Sequence, residues 1–151
     1  MKRLGQHFLK DQLVLKKIVA ALELAPGDAI FEIGPGHGEL TRHLVRACEK
    51  CKIVGVEKDA SLAADLQKSF SGEKRLSVVQ GDALAVLPAF AETSPGPYKV
   101  VGNVPYYITG HLLRALGGLP KKPSRTVLTL QREVAERILA GPNRMNRLAA
   151  S

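Results

Sequence analysis

The stretch AIFEIGPGHGEL, residues 29–40, decides the fold class, because a short apolar run leads through a glycine-rich turn into a helical pattern. AIFEI predicts a buried strand. The glycines of GPGHG allow the backbone to turn tightly and to approach a ligand closely, and the N terminus of the helix that follows can face that ligand. The stretch therefore predicts the first unit of an α/β domain, with a ligand site at the turn.

Outward from this stretch, strand-like and helix-like patterns alternate along the chain. The strand-like runs are short and rich in Val and Ile: AIFEI (29–33), KIVGVE (52–57), LSVVQ (76–80), YKVVG (98–102) and RTVLTLQ (125–131). The segments around them place apolar residues at helical spacing, in the sets Leu13, Ile18 and Leu22; Leu40, Leu44 and Val45; Leu62, Ala63 and Leu66; Leu112, Leu113 and Leu116; and Val134, Ile138 and Leu139. This alternation predicts right-handed βαβ units and a mostly parallel sheet with helices on both faces.

The length of 151 residues is that of one ordinary domain, and we expect residues 1–151 to form a single one. No apolar run approaches the roughly 20 residues that span a bilayer. The N-terminal segment MKRLGQHFLKDQ is basic but lacks the apolar region and cleavage site of a secretory signal. We therefore expect a soluble protein in the cytoplasm with no membrane partner.

The net charge of +8 is concentrated at the two ends of the chain. Residues 1–20 contain five Lys or Arg against one acidic residue, and residues 121–151 contain seven against two. The middle of the chain is close to neutral. Basic ends predict a polyanionic partner such as a nucleic acid. The alternative is a solvated basic surface without a partner.

The two cysteines, Cys48 and Cys51, form a single CEKC sequence. A zinc site of the ribbon type needs a second pair of ligands, which the sequence lacks. A redox-active pair places its nucleophile at a helix N terminus, where the helix dipole stabilises a thiolate, whereas this pair falls at the end of a helical pattern. We expect two ordinary thiols here, and no metal site in the chain.

Glycines and carboxylates follow the predicted strands, at the edge where ligands of open α/β sheets bind. Gly34 and Gly36 follow the first strand, Glu57 ends the second and Asp82 follows the third. The spacing GxGxG differs from the dinucleotide pattern GxGxxG. Glu57 is placed to accept hydrogen bonds from ribose hydroxyls, and Asp82 to accept them from a purine amino group. These residues predict a nucleoside cofactor, and the alternatives for both carboxylates are helix caps or surface charges.

Six motifs resemble, in order and spacing, those of the ribosomal RNA adenine dimethyltransferases: LGQHFL, EIGPGHGELT, GVEKD, GDAL, GNVPYYIT and LQREVAER. These enzymes have the Rossmann-like fold of S-adenosylmethionine-dependent methyltransferases, and the resemblance covers essentially the whole chain. It implies that S-adenosylmethionine is the cofactor. The residues expected to contact it are Gly34, Glu57, Asp82 and Asn103, together with His7 and Leu9 of the first motif. Gly36, in the same glycine-rich turn as Gly34, is a further candidate. The alternatives are a packed loop residue at position 7 and a first apolar helix contact at position 9.

The stretch GNVPYYITG, residues 102–110, places a Pro and two Tyr directly after a strand, although a turn does not need large aromatic rings. An adenine amino nitrogen is a poor nucleophile, so methyl transfer to it depends on positioning and electrostatics. In the family's NxPY arrangement, the oxygen of Asn103 and a backbone carbonyl near Pro105 accept hydrogens from the amino group. Tyr106 stacks on a flipped-out base, and Tyr107 shares this task or packs under the turn.

The resemblance further implies a substrate, a partner and an incomplete chain. The expected reaction is transfer of methyl groups to adenines of small-subunit ribosomal RNA, giving N6,N6-dimethyladenosine, by a protein that is monomeric at full length. Gln131 begins a QxEVAxR-like motif and either lies beside the target pocket or has a structural role. The family continues with two more strands and a helical domain, so we expect this chain to be the N-terminal part of a longer enzyme.

Three other functions remain open at this point. A large-subunit ribosomal RNA methylase of the antibiotic-resistance type shares these motifs. A non-catalytic RNA-binding or ribosome-assembly factor could retain the fold, although the intact Asn103, Pro105 and Tyr106 argue against lost chemistry. A nicotinamide dehydrogenase is disfavoured by the glycine spacing.

Overall fold

The structure, a computed structural model, describes residues 10–140, in which helices and strands alternate. The elements in order are α1 Gln12–Ala21, β1 Ala29–Ile33, α2 Glu39–Ala47, β2 Lys52–Glu57, α3 Ala60–Ser69, β3 Leu76–Gln80, α4 Ala83–Thr93, β4 Tyr98–Asn103, α5 Tyr106–Gly118, β5 Arg125–Thr129 and α6 Arg132–Ile138. The predicted alternation is confirmed. Within this described part, no helix has the length and apolar character needed to cross a membrane.

The five strands form one parallel sheet with the order β3-β2-β1-β4-β5. The central strand β1 pairs with β2 on one side and with β4 on the other, so that Ile33 lies opposite both Val56 and Gly102. The chain leaves β3 at one edge and returns on the far side of β1. The junction of β1 and β4 is therefore the topological switch point, where sheets of this kind bind their ligands.

Each face of the sheet carries its own hydrophobic core, because successive side chains of a strand point to opposite faces. Phe31 of β1 packs in one core with α4 and α5. Ile30, its neighbour in sequence, packs in the other core with α1 and α2. The helical residues that close these cores are Leu87, Ala91, Leu112 and Leu116 on the first face, and Leu15, Ile18, Leu40 and Leu44 on the second. The predicted cover of helices on both faces is confirmed.

Local signals explain where several helices begin. Asp11 precedes α1 and accepts a hydrogen bond from the Leu13 backbone N–H at 2.9 Å, and Asp59 precedes α3 and accepts one from Ser61 N–H at 2.9 Å. Such caps satisfy amide groups that the first turn of a helix leaves unpaired. Helix α2 begins instead after Gly38, whose positive φ of 83° turns the chain out of the glycine-rich segment.

Three details differ from the sequence predictions. Leu13 is 69% exposed, and Leu15 is the fully buried residue of α1; two residues on a helix differ by about 200° in direction, so they occupy opposite faces. Leu139 lies beyond the end of α6 and is exposed. Strand β5 ends at Thr129, two residues before the predicted end, because the chain turns there into α6.

The prediction of two free thiols was wrong, because Cys48 and Cys51 are joined by a disulfide. Cys48 directly follows helix α2 and Cys51 directly precedes β2, and both are buried. The short turn between helix and strand brings their Cα atoms to 5.5 Å, which is within the usual range for this bond. Spacing in the sequence did not reveal that geometry.

Candidate active site

A cavity of about 590 Å³ opens at the carboxyl edge of the sheet, at the switch point. Its volume is within the range of small-molecule sites. Residues that follow each of the five strands line it: Gly34, Pro35 and Gly36 after β1, Lys58 and Asp59 after β2, Gly81 and Asp82 after β3, Val104 and Pro105 after β4, and Leu130 and Gln131 after β5. The cavity lies where the sequence predicts a ligand.

The glycine-rich turn after β1 needs its glycines for conformational and steric reasons. Gly34 and Gly36 have φ values of 60°, in the left-handed region that side chains disfavour. At Gly38 a Cβ atom would lie 2.7 Å from Leu66 of helix α3. The turn therefore brings bare backbone to the cavity wall, while its last residue packs closely against the neighbouring helix.

Glu57 ends β2 and fastens the glycine-rich turn to that strand. Its side chain is 3% exposed; Oε2 accepts from the Gly36 N–H at 2.9 Å, and Oε1 accepts from the Asp59 N–H at 2.9 Å. A carboxylate has about four acceptor sites on its two oxygens, so these bonds leave capacity for a ligand. The structure places Glu57 in the cavity wall as predicted and adds a role in holding the turn.

Asp82 follows β3, caps a helix and lines the cavity. Its carboxylate caps helix α4 by accepting from the Leu84 N–H at 2.9 Å, and the same residue lines the cavity. The side chain is exposed. Capping one end of the carboxylate fixes its direction, so the cap and a ligand contact are compatible.

The turn after β4 brings Asn103 and Pro105 into the cavity wall. Asn103 is the last residue of β4 and is half-buried, and the next residue, Val104, donates its N–H to the carbonyl of Thr129 in β5 at 3.1 Å. The carbonyl of Pro105 accepts from Ile108 N–H and from the Thr109 hydroxyl, each at 3.2 Å. The Pro105 carbonyl therefore accepts hydrogen bonds from the first turn of α5. The segment from Asn103 to Pro105 is thus bonded to β5 on one side and to α5 on the other.

Two exposed tyrosine rings follow the turn after β4. Tyr106 and Tyr107 begin helix α5, are 53% and 54% exposed, and meet edge to face with their centroids 5.7 Å apart. Tyr107 lines the cavity, and Tyr106 is its neighbour at the start of the same helix. Tyr107 is half-exposed in the cavity wall, and its role, either in stacking or in packing under the turn, stays a prediction.

Glu32 is a cavity residue that the sequence analysis missed. It lies in the buried strand β1, is 1% exposed, and accepts through Oε2 from the Thr41 hydroxyl at 2.8 Å. Burial raises the pKa of its carboxyl from 4.5 to about 8; the Thr41 hydrogen bond opposes this shift, and the nearby charges of Glu57 and Glu39 add to it. The available signal was an acidic residue inside an apolar strand, directly before the glycine-rich turn.

Gln131 follows β5, two strands away from β1 and its glycine-rich turn, and lines the cavity. It is exposed and directly precedes α6, which packs through the buried Val134. Arg132 pairs with Glu136 one helical turn later, at 2.8 Å on the exposed surface. The structure thus brings Gln131 to the cavity and assigns the other charged residues of this segment to the surface.

Two predicted cofactor contacts, His7 and Leu9, lie outside the described residues. The remaining ones, Gly34, Gly36, Glu57, Asp82 and Asn103, all line one cavity.

A parallel sheet of this order, with a glycine-rich turn after β1 and carboxylates after β2 and β3, defines the Rossmann-like fold of the S-adenosylmethionine-dependent methyltransferases. Within that class the chain matches the family model described as ribosomal RNA adenine dimethylase over residues 1–151. The chain belongs to this family.

Two curated relatives from cyanobacteria illustrate the match, and both are named ribosomal RNA small subunit methyltransferase A. The protein from Synechococcus sp. (strain RCC307) is 46% identical over an alignment of 144 positions, which covers 92% of this chain and 52% of the relative. The protein from Prochlorococcus marinus (strain NATL1A) is 45% identical over an alignment of 155 positions, which covers 99% of this chain and 53% of the relative. The chain thus spans about half the length of these relatives.

Solved structures agree with this placement. A dimethyladenosine transferase from Plasmodium falciparum is 29% identical with a TM-score of 0.77, and the match covers 94% of this chain and 50% of that one. The 23S rRNA methyltransferase ErmE is 32% identical with a TM-score of 0.72, and the match covers 87% of this chain and 50% of that one.

Proposed function

We propose that this chain is the N-terminal catalytic part of an enzyme that transfers methyl groups from S-adenosylmethionine to N6 of adenines in small-subunit ribosomal RNA, giving N6,N6-dimethyladenosine. The observation that carries the proposal is the turn from Asn103 to Tyr106, which joins the cavity to two exposed aromatic rings. The two relatives named for the small subunit are 46% and 45% identical to this chain, against 32% for the 23S enzyme. These values favour the small subunit as the source of the substrate.

The cavity fits S-adenosylmethionine in size and in the character of its walls. The backbone of the glycine-rich turn forms one wall, and Glu57 and Asp82 also line the cavity. We assign to Glu57 the hydrogen bonds from the ribose hydroxyls and to Asp82 those from the purine amino group. An unpaired buried oxygen of Glu32 among the described residues matches a ligand that carries positive charge. S-adenosylmethionine, when bound, supplies a methyl group activated by the sulfonium sulfur.

The residues after β4 orient the target adenine. The side-chain oxygen of Asn103 accepts a hydrogen from the adenine amino group. Because the Pro105 carbonyl is used within α5, we assign the second acceptor to the carbonyl of Val104. Two acceptors fix the amino group and direct its lone pair toward the cavity, which is catalysis by positioning. Each methylated nitrogen is cationic and releases its proton to water, so the chain does not need to supply a base.

The exposed tyrosines hold the base once it leaves its helix. Stacking of a base on an aromatic ring contributes about 1 to 3 kcal/mol. The exposed ring of Tyr106 and the ring of Tyr107, which lines the cavity, lie at right angles, with an interplanar angle of 90°. We assign the stacking face to Tyr106 and a lateral wall for the same base to Tyr107.

The described basic residues from position 121 onward form two groups: some bond to other parts of the protein, and others are exposed to solvent and available to RNA. Lys121 donates to the carbonyl of Ser94, and Arg125 pairs with Glu23 at 2.7 Å. Lys122 and Arg137 are exposed, and we propose that they contact phosphates. We further propose that the complete enzyme is a cytoplasmic monomer.

The test uses a chimera in which this chain is joined to the C-terminal half of the Synechococcus relative. The assay is tritiated methyl incorporation into small ribosomal subunits that lack the modification, with RNA binding measured in parallel. We expect Asn103→Ala to reduce methyl transfer by about a hundredfold with little effect on RNA binding. Tyr106→Ala should also reduce methyl transfer strongly, whereas Tyr106→Phe should retain most of it because a phenyl ring also stacks.

The matched control is Arg114→Ala, an exposed change further along α5, which should leave methyl transfer unchanged. Near wild-type incorporation by both alanine variants would refute the proposed roles of the turn. RNA binding by the wild-type chimera without any methylation would support the non-catalytic assembly factor instead.

A further inference from the structure

The order of the strands separates two sides of the cavity. The sheet has the strand order β3-β2-β1-β4-β5. Asp82 follows β3, Glu57 ends β2 and the glycine-rich turn follows β1, so the groups assigned to the cofactor lie on one side of β4. Neighbouring strands are about 4.8 Å apart, which places the end of β5 roughly 14 Å from the end of β2. The wall after β5 is therefore on the side of the target base.

Gln131 brings a side-chain amide to that wall. Asn103 lies opposite Thr129 in the pairing of β4 with β5, and the Val104 N–H donates to the Thr129 carbonyl at 3.1 Å. Gln131 follows Thr129 by two residues, and its own carbonyl accepts from the Val134 N–H at 3.0 Å. The backbone of Gln131 is thus fixed beside the turn that holds the target amino group.

The side chain of Gln131 is not used by the helix that it precedes. It occupies the N-cap position of α6, where Ser, Thr, Asp and Asn are preferred because their short side chains accept from the first amides. Gln131 makes no side-chain cap bond, and it is exposed and lines the cavity. The next residue, Arg132, pairs instead with Glu136 on the surface. A residue that departs from a local rule beside a cavity is expected where function requires it.

The adenine base has an acceptor for which the turn supplies no donor. Flipped-out bases are read on their Watson–Crick edge, where adenine offers two amino hydrogens and the acceptor N1. The oxygens of Asn103 and Val104 are assigned to the amino hydrogens, so N1 still needs a donor. A glutamine amide carries two N–H donors. Guanine has an oxygen and an N–H at the same two positions, so both contacts would meet a group of their own kind.

We propose that Gln131 donates from its side-chain amide to N1 of the target adenine and thereby determines the specificity of the site for this base. The inference rests on the proposed function. The first methyl transfer removes one amino hydrogen, so the monomethylated base has lost one contact to the turn, whereas its N1 is unchanged. Gln131 therefore also holds the base for the second transfer.

The test combines a change in the base with a change in the protein, in the chimera with the Synechococcus relative. Small subunits are reconstituted with ribosomal RNA that carries 1-deazaadenine, in which C–H replaces N1, at the target positions. We expect this replacement to lower kcat/KM by about tenfold more in the wild type than in Gln131→Met, whose side chain has a similar length and no donor. Any change in the reactivity of the amine is common to both proteins and cancels in the comparison.

Two controls separate this contact from a structural role of Gln131. Substitution by 7-deazaadenine alters the opposite edge of the base and should have the same effect on both proteins. The affinity for S-adenosylmethionine should be equal in both proteins, because the residue lies away from the cofactor side. Mass spectrometry of the product nucleosides should show a larger monomethylated fraction for Gln131→Met. If that variant does not fold, a wild type that is more sensitive to 1-deaza than to 7-deaza substitution supports the contact.

Three results would overturn the inference. A wild-type enzyme that methylates 1-deazaadenine as fast as adenine refutes it and leaves the proposed function in place. A folded Gln131→Met variant that is as sensitive to the 1-deaza substitution as the wild type refutes it in the same way. Absence of methylation of unmodified RNA by the wild-type chimera removes the proposed function, and the inference fails with it.

Discussion

Replacement of Glu32 by Gln should change how the stability of the protein depends on pH, even without a ligand. The carboxyl has a pKa of about 8 in the fold, against 4.5 as its ordinary value. Between these values the folded chain retains a proton that the unfolded chain has lost. The free energy of unfolding therefore decreases as the pH rises through this window. Glutamine is neutral throughout and has no such dependence.

The magnitude follows from the two pKa values. One pH unit within the window corresponds to roughly 1 kcal/mol, so from pH 5 to pH 8 the Gln variant should gain about 3 to 4 kcal/mol relative to the wild type. An amide group without a partner adds a constant cost of about 1 to 3 kcal/mol. This cost lowers the free energy of unfolding of the Gln variant by the same amount at every pH. It does not alter the difference in slope between the variant and the wild type.

Urea denaturation at pH 5, 6, 7 and 8 measures this difference. Glu39→Gln serves as the control, since Glu39 is only half-buried, and its slope should remain close to that of the wild type. Parallel curves for the wild type and Glu32→Gln would show that the carboxyl is ionised in the fold over the whole range, which would refute the reasoning.

Three further predictions concern binding and stability. Glu57→Ala should weaken S-adenosylmethionine binding by about 1 to 3 kcal/mol in calorimetry, and unchanged affinity in a folded variant would exclude the ribose contact. RNA affinity of the chimera should fall steeply with salt in filter binding, with a shallower slope for Lys122→Ala and Arg137→Ala; a wild-type affinity independent of salt would contradict the phosphate contacts. Lys99→Met should cost about 3 to 5 kcal/mol in denaturation, because it leaves Asp28 charged and buried without its partner at 2.7 Å. Adding Asp28→Asn should recover part of that loss, and no recovery would mean that the pair is not the cause.

The fold and the place of the site follow from short-range signals in the sequence. An apolar run before GPGHG identifies β1, and the ends of parallel strands meet at one edge of a sheet. Glu57, Asp82 and Asn103 are 46 residues apart at most in sequence, yet they line one cavity for that reason. The identity of a strand-end residue was therefore enough to place it.

Other features depend on contacts between distant segments, which a single sequence does not display. The bonds of Glu57 to Gly36 require β2 and the glycine-rich turn to lie side by side. The number of hydrogen bonds that Glu32 accepts depends on its neighbours in α2, where the hydroxyl of Thr41 donates to it. Leu13 fits a helical pattern as well as Leu15 does until the position of the sheet is known.

The bonds of Glu57 also decide when the glycine-rich turn becomes ordered. Its carboxylate connects Gly36 with the start of α3 through hydrogen bonds that the protein makes within itself. The conformational entropy of three glycines is therefore lost during folding and not during ligand binding. A preorganised turn keeps its full affinity for the ligand, and cofactor association does not have to wait for a loop to close. The same connection means that a change at Glu57 alters the rigidity of the empty protein before it alters any contact with a nucleoside.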